Sequence, residues 1–358
     1  MKQTENPPVS ISTLRRRVLS LPTLAAVVVA GALLALALVR VFDIDWELLW
    51  TNVKSINPVM YLLALVFYYA SFWVRGLRWR LIAITARIDR TGGSRIPGPT
   101  KMAAIILMGW FANSVAFLRL GDAYRGWSLS REAGTGFPPS LGTILAERVQ
   151  DMVAVLLLVL IAAGWVTAFG GVEVPGAVVI AAVSLVVLLV AFLAVMQRFG
   201  VRMVRRLPRR FRRAYMRFQR GTLYSFRAED LPVQLGLGIT GWMLEIARFY
   251  FVAQGLGIEI SFGVVMFAAL ANAMLTTIPT PGGFGFVEGG LTGLLILLGL
   301  DDTTALSLTV VDRTISWLSV VLFGGILFFT WNLVKVRSGN ARAASATPET
   351  TAPKESTH

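Results

Sequence analysis

The chain has 358 residues, 55% hydrophobic and 15% charged, with 34 Lys and Arg against 20 Asp and Glu for a formal charge of +14. With a mean hydropathy of +0.67, that balance excludes an ordinary soluble domain and fits a polytopic membrane protein. Cysteine is absent and the only histidine is His358, which excludes a disulfide framework, a Cys nucleophile, His acid–base catalysis and Cys- or His-ligated metals; no cofactor is expected.

Arg15, Arg16 and Arg17 precede an apolar run from Leu21 to Leu38, a layout shared with signal peptides. The run is long enough to cross a bilayer, and no small-residue cleavage site precedes Asp43–Glu47, so it reads as a retained first helix. Full-length apolar runs then lie at about 21–42, 58–80, 141–168, 174–197, 232–254 and 306–333, each with the roughly 20 residues that cross a ~30 Å hydrocarbon layer. The stretch from Arg198 to Arg227 holds eleven arginines and no acid, which places it in the cytoplasm. The same tendency puts Arg15–Arg17, then Arg75, Arg78, Arg80, Arg87, Arg90 and Arg95, and finally Lys335, Arg337 and Arg342 inside, with Asp43, Asp45 and Glu47 outside. The expected organisation is a cytoplasmic tail over 1–20, a single transmembrane unit over 21–335 with a basic cytoplasmic loop at 198–230, and a disordered cytoplasmic tail over 336–358. The net charge is thus assigned to cytoplasmic topology and anionic-lipid contact, not to nucleic acid.

These orientations agree only if residues 102–140 begin and end inside and residues 262–305 begin and end outside. Phe286–Gly299 has 14 residues, ~21 Å as helix and short of a span, and Ile105–Leu118 is similarly short. The expected fold is therefore an all-α polytopic membrane protein with about six full transmembrane helices and two re-entrant helical hairpins. The order long helix, hairpin, long helix occurs twice with opposite orientation, the plan of an inverted repeat with a site near the midplane. ILAERVQDMVAVLL (144–157) aligns with TVVDRTISWLSVVL (309–322), which sets Glu147–Arg148 on Asp312–Arg313, and Asn113 and Asn272 occupy similar places in the two hairpins.

The stretch TTIPTPGGFGFVEGGLTG (276–293) breaks the second hairpin with two prolines and six glycines. Unpaired backbone groups in hydrocarbon cost several kcal/mol each, so such a break survives only inside protein or beside a watery cavity. Pro279 and Pro281 stop the preceding helix, Gly282, Gly283 and Gly285 allow positive φ, and the freed N–H groups would form an anion seat. Glu288 would lie in the first turn of the next short helix, where a carboxylate suits the dipole; the plainer alternative is an ordinary turn with Glu288 as a capping acid. The first hairpin offers Arg119, Asp122 and Arg125 on one face, with net positive charge suited to a phosphate. Glu147 and Asp151 share a face near the start of a long helix while Arg148 points about 100° away. Ionisable groups inside a span need partners, and the repeat leads to an expected cross-pairing of Glu147 with Arg313 and Asp312 with Arg148. Glu245 and Arg248 read as a structural pair.

Three motifs in order, Arg119-x-Gly121-Asp122-x-x-Arg125, Ala146-Glu147-Arg148-x-x-Asp151 and Pro279-x-Pro281-Gly282-Gly283-x-Gly285-x-x-Glu288, resemble the transmembrane region of the lysylphosphatidylglycerol synthase family. The resemblance spans about residues 20–335; Asp122 departs from it, standing where the family's Glu is expected. It implies lipid translocation across the cytoplasmic membrane, with aminoacylated phosphatidylglycerol, polyprenyl-linked sugars or hopanoids as the range of cargo. The synthase members add a soluble aminoacyl-transfer domain; barely 25 residues follow the last helix here, so the expectation is the flippase part alone.

The leading expectation is a multi-pass lipid transporter of the cytoplasmic membrane without covalent chemistry, both termini cytoplasmic. Its substrate site would draw on Arg119, Asp122, Arg125, Glu147, Arg148, Asp151, Pro281, Gly282, Gly283, Gly285, Glu288, Asp312 and Arg313. Its partners would be membrane lipids, an anionic phospholipid or a polyprenyl-linked lipid, with a homo-oligomer or an envelope-synthesis enzyme as protein partner. One rival is a membrane transferase using a lipid-linked donor through Glu229–Asp230 or Asp301–Asp302; another is a non-transporting scaffold for envelope lipid synthesis.

Overall fold

A computed structural model describes residues 45–91, 96–116, 120–169, 176–206, 208–276, 280–283 and 285–334. The expected first span (21–42), both tails and the sites assigned to Arg119 and Pro279 lie outside the described residues. All regular elements among the described residues are helical, as the all-α expectation requires. In chain order they are α1 (Trp46–Lys54), α2 (Pro58–Thr85), α3 (Pro99–Val115), α4 (Leu120–Glu132), α5 (Phe137–Phe169), α6 (Gly176–Met203), α7 (Arg209–Leu223), α8 (Leu231–Gly255), α9 (Phe262–Leu275), α10 (Phe286–Leu297) and α11 (Asp302–Val334).

Among the described residues, α2, α8 and α11 are long and apolar enough to cross a membrane. The 33-residue α5 and 28-residue α6 cover the expected runs at 141–168 and 174–197. Helix ends are fixed by side chains: the Asn57 carboxamide accepts from Val59 N and Met60 N ahead of Pro58, Ser261 from Val264 N, and Asp301 from Thr304 N at 2.9 Å. Asp301 lies outside the spans. Its hydrogen bonds to Thr304, hydroxyl first and then amide, hold its carboxyl below the usual range.

The centre of the bundle is the seam between α2 and α8, the most extensively packed pair of helices. Gly238 and Gly241 on α8 leave room for the Arg78 and Arg75 side chains of α2. Gly76 lets the first turn of α3 approach, since a β-carbon there would lie 2.6 Å from Ala103 N. Three tyrosines of α2 tie it to α11: Tyr61 Oη and Tyr69 Oη lie 2.9 and 2.8 Å from the Thr314 and Ser319 hydroxyls, and Tyr68 donates to the Ser316 carbonyl at 2.9 Å. These contacts fall on Thr314–Gly324, where α11 widens into a π-helix, a geometry that occurs often at functional positions. Large apolar side chains on α6 (Ile180, Val187, Leu188, Phe192) and the second half of α11 (Leu322, Ile326, Phe329, Leu333) face outward, the surface a bilayer covers.

Between these long elements lie two pairs of half-length helices, of 17 and 13 residues and of 14 and 12 residues. At 1.5 Å per residue none exceeds ~26 Å. The first pair doubles back: Asn113 Oδ1 accepts from Gly121 N at 2.8 Å near the break, while Lys101 and Glu132 form an ion pair at the far ends. In the second, Gly290 packs on Leu275 and Gly283 on Val287 and Thr276. One feature of the basic stretch was not expected. Residues 209–223 form a helix whose small face (Gly221, Thr222) packs on Pro139 and Gly142 of α5, leaving Arg209, Arg210, Arg213, Arg217 and Arg220 outward.

Candidate functional site

The proline–glycine break of the second pair adopts the conformation its composition demands. Gly282, Gly283 and Gly285 have φ of 60°, 77° and 86°, the left-handed region that β-carbons disfavour. The Trp317 indole closes on Gly282, where a β-carbon would fall 2.4 Å from Nε1; the Ser114 carbonyl of α3 lies 3.5 Å from the same point. The broken tips of the two hairpins therefore meet. Two of the amides expected to be free are engaged: Gly283 N donates to Thr280 O at 3.2 Å and Gly285 N to Glu288 Oε2 at 2.8 Å. Glu288 is the expected cap, and the tip instead turns the Gly282 carbonyl toward Arg313, which donates to it at 2.8 Å.

Around this meeting point the paired charges of the described residues sort into four groups, each neutral. Arg78 meets Asp151 at 2.5 Å. Arg125 meets Glu147 at 2.5 Å and Asp122 at 3.6 Å, and Asp122 meets Arg148 at 2.8 Å. Glu245 lies 3.4 Å from Arg75 and 3.2 Å from Arg248, whose guanidinium also grips Asp312. Arg313 meets Glu288 at 2.8 Å. Six arginines thus face six carboxylates. Neutrality follows from the setting, since an unpaired ion buried in apolar surroundings costs several kcal/mol. Aromatic faces cover the guanidiniums: Arg125 lies 4.4 Å from the Trp79 ring centre, Arg248 5.3 Å from Tyr68, and Arg75 between Trp242 (4.8 Å) and Trp110 (5.4 Å).

The expected cross-pairing of Glu147 with Arg313 and Asp312 with Arg148 is not what forms. Glu147 takes Arg125 and Asp312 takes Arg248. Arg148 and Arg313 each turn to a hairpin of their own half, to Asp122 and Glu288. Each arginine sits on the long helix that follows a hairpin, and each hairpin is nearer to it than the other half is. Arg75 and Arg78, assigned from sequence to the cytoplasmic flank, are buried. Glu245 and Arg248, read as a structural pair, belong to the same network. The sign was present in the sequence: all four lie within or at the end of apolar runs, where ionisable groups mark interior sites.

A cavity of about 260 Å³ opens inside this network. Arg148, Asp151, Gly282, Gly283 and Arg313, all expected site residues, line it; Asp122, Arg125, Glu147, Glu288 and Asp312 stand behind as ion partners, and Pro281 and Gly285 flank the tip. Its wall carries four arginines (75, 148, 248 and 313) and two carboxylates (Asp151 and Glu245), so it is cation-rich although the network is neutral. Arg75 Nε, Trp242 Nε1, Thr280 Oγ1, Asn272 Oδ1 and Asp151 Oδ2, all on lining residues, are buried polar atoms with no hydrogen-bond partner among the described residues. Buried polar atoms are rarely left so, and five on residues around one cavity make its surroundings polar. Asn272, matched to Asn113 in sequence, donates to Asp312 at 3.2 Å. One acid of each pair of the transferase rival has a structural partner: Asp230 accepts from Thr85 Oγ1 at 2.8 Å, and Asp301 caps α11, while Glu229 is exposed.

The family model described as the lysylphosphatidylglycerol synthase TM region matches residues 23–324. The chain belongs to the lysylphosphatidylglycerol synthase transmembrane-region family. It is an integral membrane protein, and both hairpins and every ion pair of the cavity fall inside the matched region. Among relatives, a UPF0104 membrane protein of Methanocaldococcus jannaschii is 34% identical over 229 residues, 61% of this chain and 93% of that protein. A UPF0104 membrane protein of Methanothermobacter thermautotrophicus is 26% identical over 306 residues, 78% of this chain and 87% of its own length. Glycosyltransferase AglD of Haloferax volcanii is 24% identical over 342 residues, 84% of this chain but 53% of that protein. Arg148, Asp151, Gly282, Gly283 and Arg313, which line the cavity, all fall inside the matched region.

Proposed function

We propose that this protein moves a lipid between the leaflets of the cytoplasmic membrane, passing the headgroup through the cavity without covalent chemistry. The observation that carries the reading is the cavity wall, in which four arginines and the broken tip of a hairpin face one space enclosed by apolar helices. Non-helical backbone at membrane depth is tolerated beside a polar space, and paired ions at that depth mark substrate paths. In this reading the two hairpins are re-entrant, α3–α4 from the cytoplasmic side and α9–α10 from the other, with the arginine-rich α7 in the cytoplasm. The cargo is an anionic phospholipid or a polyprenyl-linked lipid, which share a phosphate; its hydrocarbon stays in the bilayer. Purified protein in vesicles, with exchange of a fluorescent phospholipid between leaflets measured, tests this. Exchange above empty vesicles is expected for wild type and its loss for Arg148→Gln/Arg313→Gln; equal rates in all three overturn the reading.

A second reading, transfer from a lipid-linked donor, is favoured by the glycosyltransferase among the relatives. It needs an acid pair at a membrane face; Asp230 and Asp301 hold Thr85 and the α11 cap, which leaves Glu229 as the exposed acid of its pair. Sugar transfer to a lipid acceptor by the purified protein, abolished by Asp230→Asn, would establish it.

A further inference from the structure

We propose that the cavity contains two similarly built seats for a lipid phosphate, one at Arg148 and one at Arg313, and that the phosphate occupies each by displacing a carboxylate from the arginine. This rests on the transport reading above and adds where, and by what exchange of partners, the headgroup is held.

The two arginines are built alike. Each directly follows a buried acid (Glu147, Asp312) on the long helix after a hairpin, and each lines the cavity. Each pairs with an acid on the hairpin's second helix: Asp122 in α4 and Glu288 in α10, both at 2.8 Å. A guanidinium prefers a phosphate's paired oxygens as readily as a carboxylate's, so an entering phosphate competes directly for it. Exchange is feasible here because neither carboxylate would be stranded. Glu288 Oε2 keeps the Gly285 amide at 2.8 Å in the first turn of α10, and Asp122 keeps Arg125 at 3.6 Å. Arg78 and Asp151, by contrast, form a closed pair whose separation would bare two buried charges.

Independent of the ion pairs, the same wall carries five buried polar atoms with no hydrogen-bond partner among the described residues, the donors Arg75 Nε and Trp242 Nε1, the Thr280 hydroxyl, and the acceptors Asn272 Oδ1 and Asp151 Oδ2, so it is polar on both counts. The seats differ in access: Arg148 and Asp122 side chains are 30% and 25% exposed, Arg313 and Glu288 10% and 11%. In this structure the first seat is reachable by water and the second is enclosed, as expected of two stations visited in turn.

The test uses the full chain in a maltoside micelle, which carries no phosphate, with fluorescent phosphatidylglycerol and its diacylglycerol analogue as probes. Wild type should retain the phospholipid about tenfold over the analogue, the scale of a charge-assisted bond. Arg148→Gln or Arg313→Gln alone should lower retention only about twofold, the statistical effect of losing one of two seats, and the double variant should bring it to the analogue's level. Asp122→Asn and Glu288→Gln should raise retention, because they weaken the competing anion; a merely structural pair would not give that sign. A single variant as damaging as the double, or reduced retention in both carboxylate variants, overturns the two-seat arrangement. Arg→Lys at the same positions, keeping the charge without the fork, serves if a Gln variant fails to purify as a single species, and should lower retention by an intermediate amount; unchanged retention there overturns the seats. Displacement of the lipid by equimolar inorganic phosphate overturns the lipid as source. Retention without leaflet exchange in vesicles sinks the transport reading and leaves the seats standing; exchange without selective retention sinks the seats alone.

Discussion

A guanidinium buried among apolar helices depends on its partner more than the pair contributes as a pair. Arg125 is 1% exposed, and Glu147 is its main counter-ion. Glu147→Gln should therefore destabilise by about 3–5 kcal/mol, the cost of an uncompensated buried charge, visible as a lower unfolding temperature in detergent. The half-exposed pair behaves differently. Arg148→Asp and Asp122→Arg should each lower the unfolding temperature, and the reversed double should recover part of the loss; no recovery would mean the two side chains do not act on one another. Which residues carry buried charge was legible from sequence, because an ionisable group in an apolar run has few other places to be. Who faces whom was not. The i,i+3 spacing gave Asp122 with Arg125, but Glu147 with Arg125 and Asp312 with Arg248 depend on how separate helices pack, which a period of 3.6 does not specify.

Helices of 12 to 17 residues have a large share of their backbone groups at unsatisfied ends, so their caps matter more than those of a long span. Glu288 on Gly285 N is such a cap, and its place after a glycine break was readable because prolines and glycines constrain the main chain locally. Asp301 caps α11 from outside the span. Because its hydrogen bonds to Thr304 depress the folded-state pKa, its contribution is present at neutral pH and lost as pH falls through that depressed value. Asp301→Asn should flatten the acid side of the stability–pH profile and leave the neutral side within about 1 kcal/mol of wild type, measured by thermal unfolding across pH. The π-helical Thr314–Gly324 had no counterpart in the sequence reading: it reflects register against the tyrosines of α2, a relation between elements. The helix within 209–223 was obscured by its arginines, which were read for topology alone.

For the molecule as a whole, five of the six long runs fall on long helices and the sixth lies outside the described residues. The two short segments appear as two pairs of helices too short to span, since length sets what a helix can reach. The same four groups of buried ions also have an electrical consequence. Each sums to zero among the described residues, so a group that shifts as a whole, arginines and carboxylates together, carries no net charge across the field. Moving a single elementary charge through a 100 mV membrane potential involves about 2.3 kcal/mol, which such a paired group avoids. For a shift of that kind the potential acts on the cargo's own charge. In vesicles carrying a potassium diffusion potential, a headgroup of zero net charge should equilibrate at the same rate for either polarity, and a singly charged one should be driven toward the leaflet its sign favours.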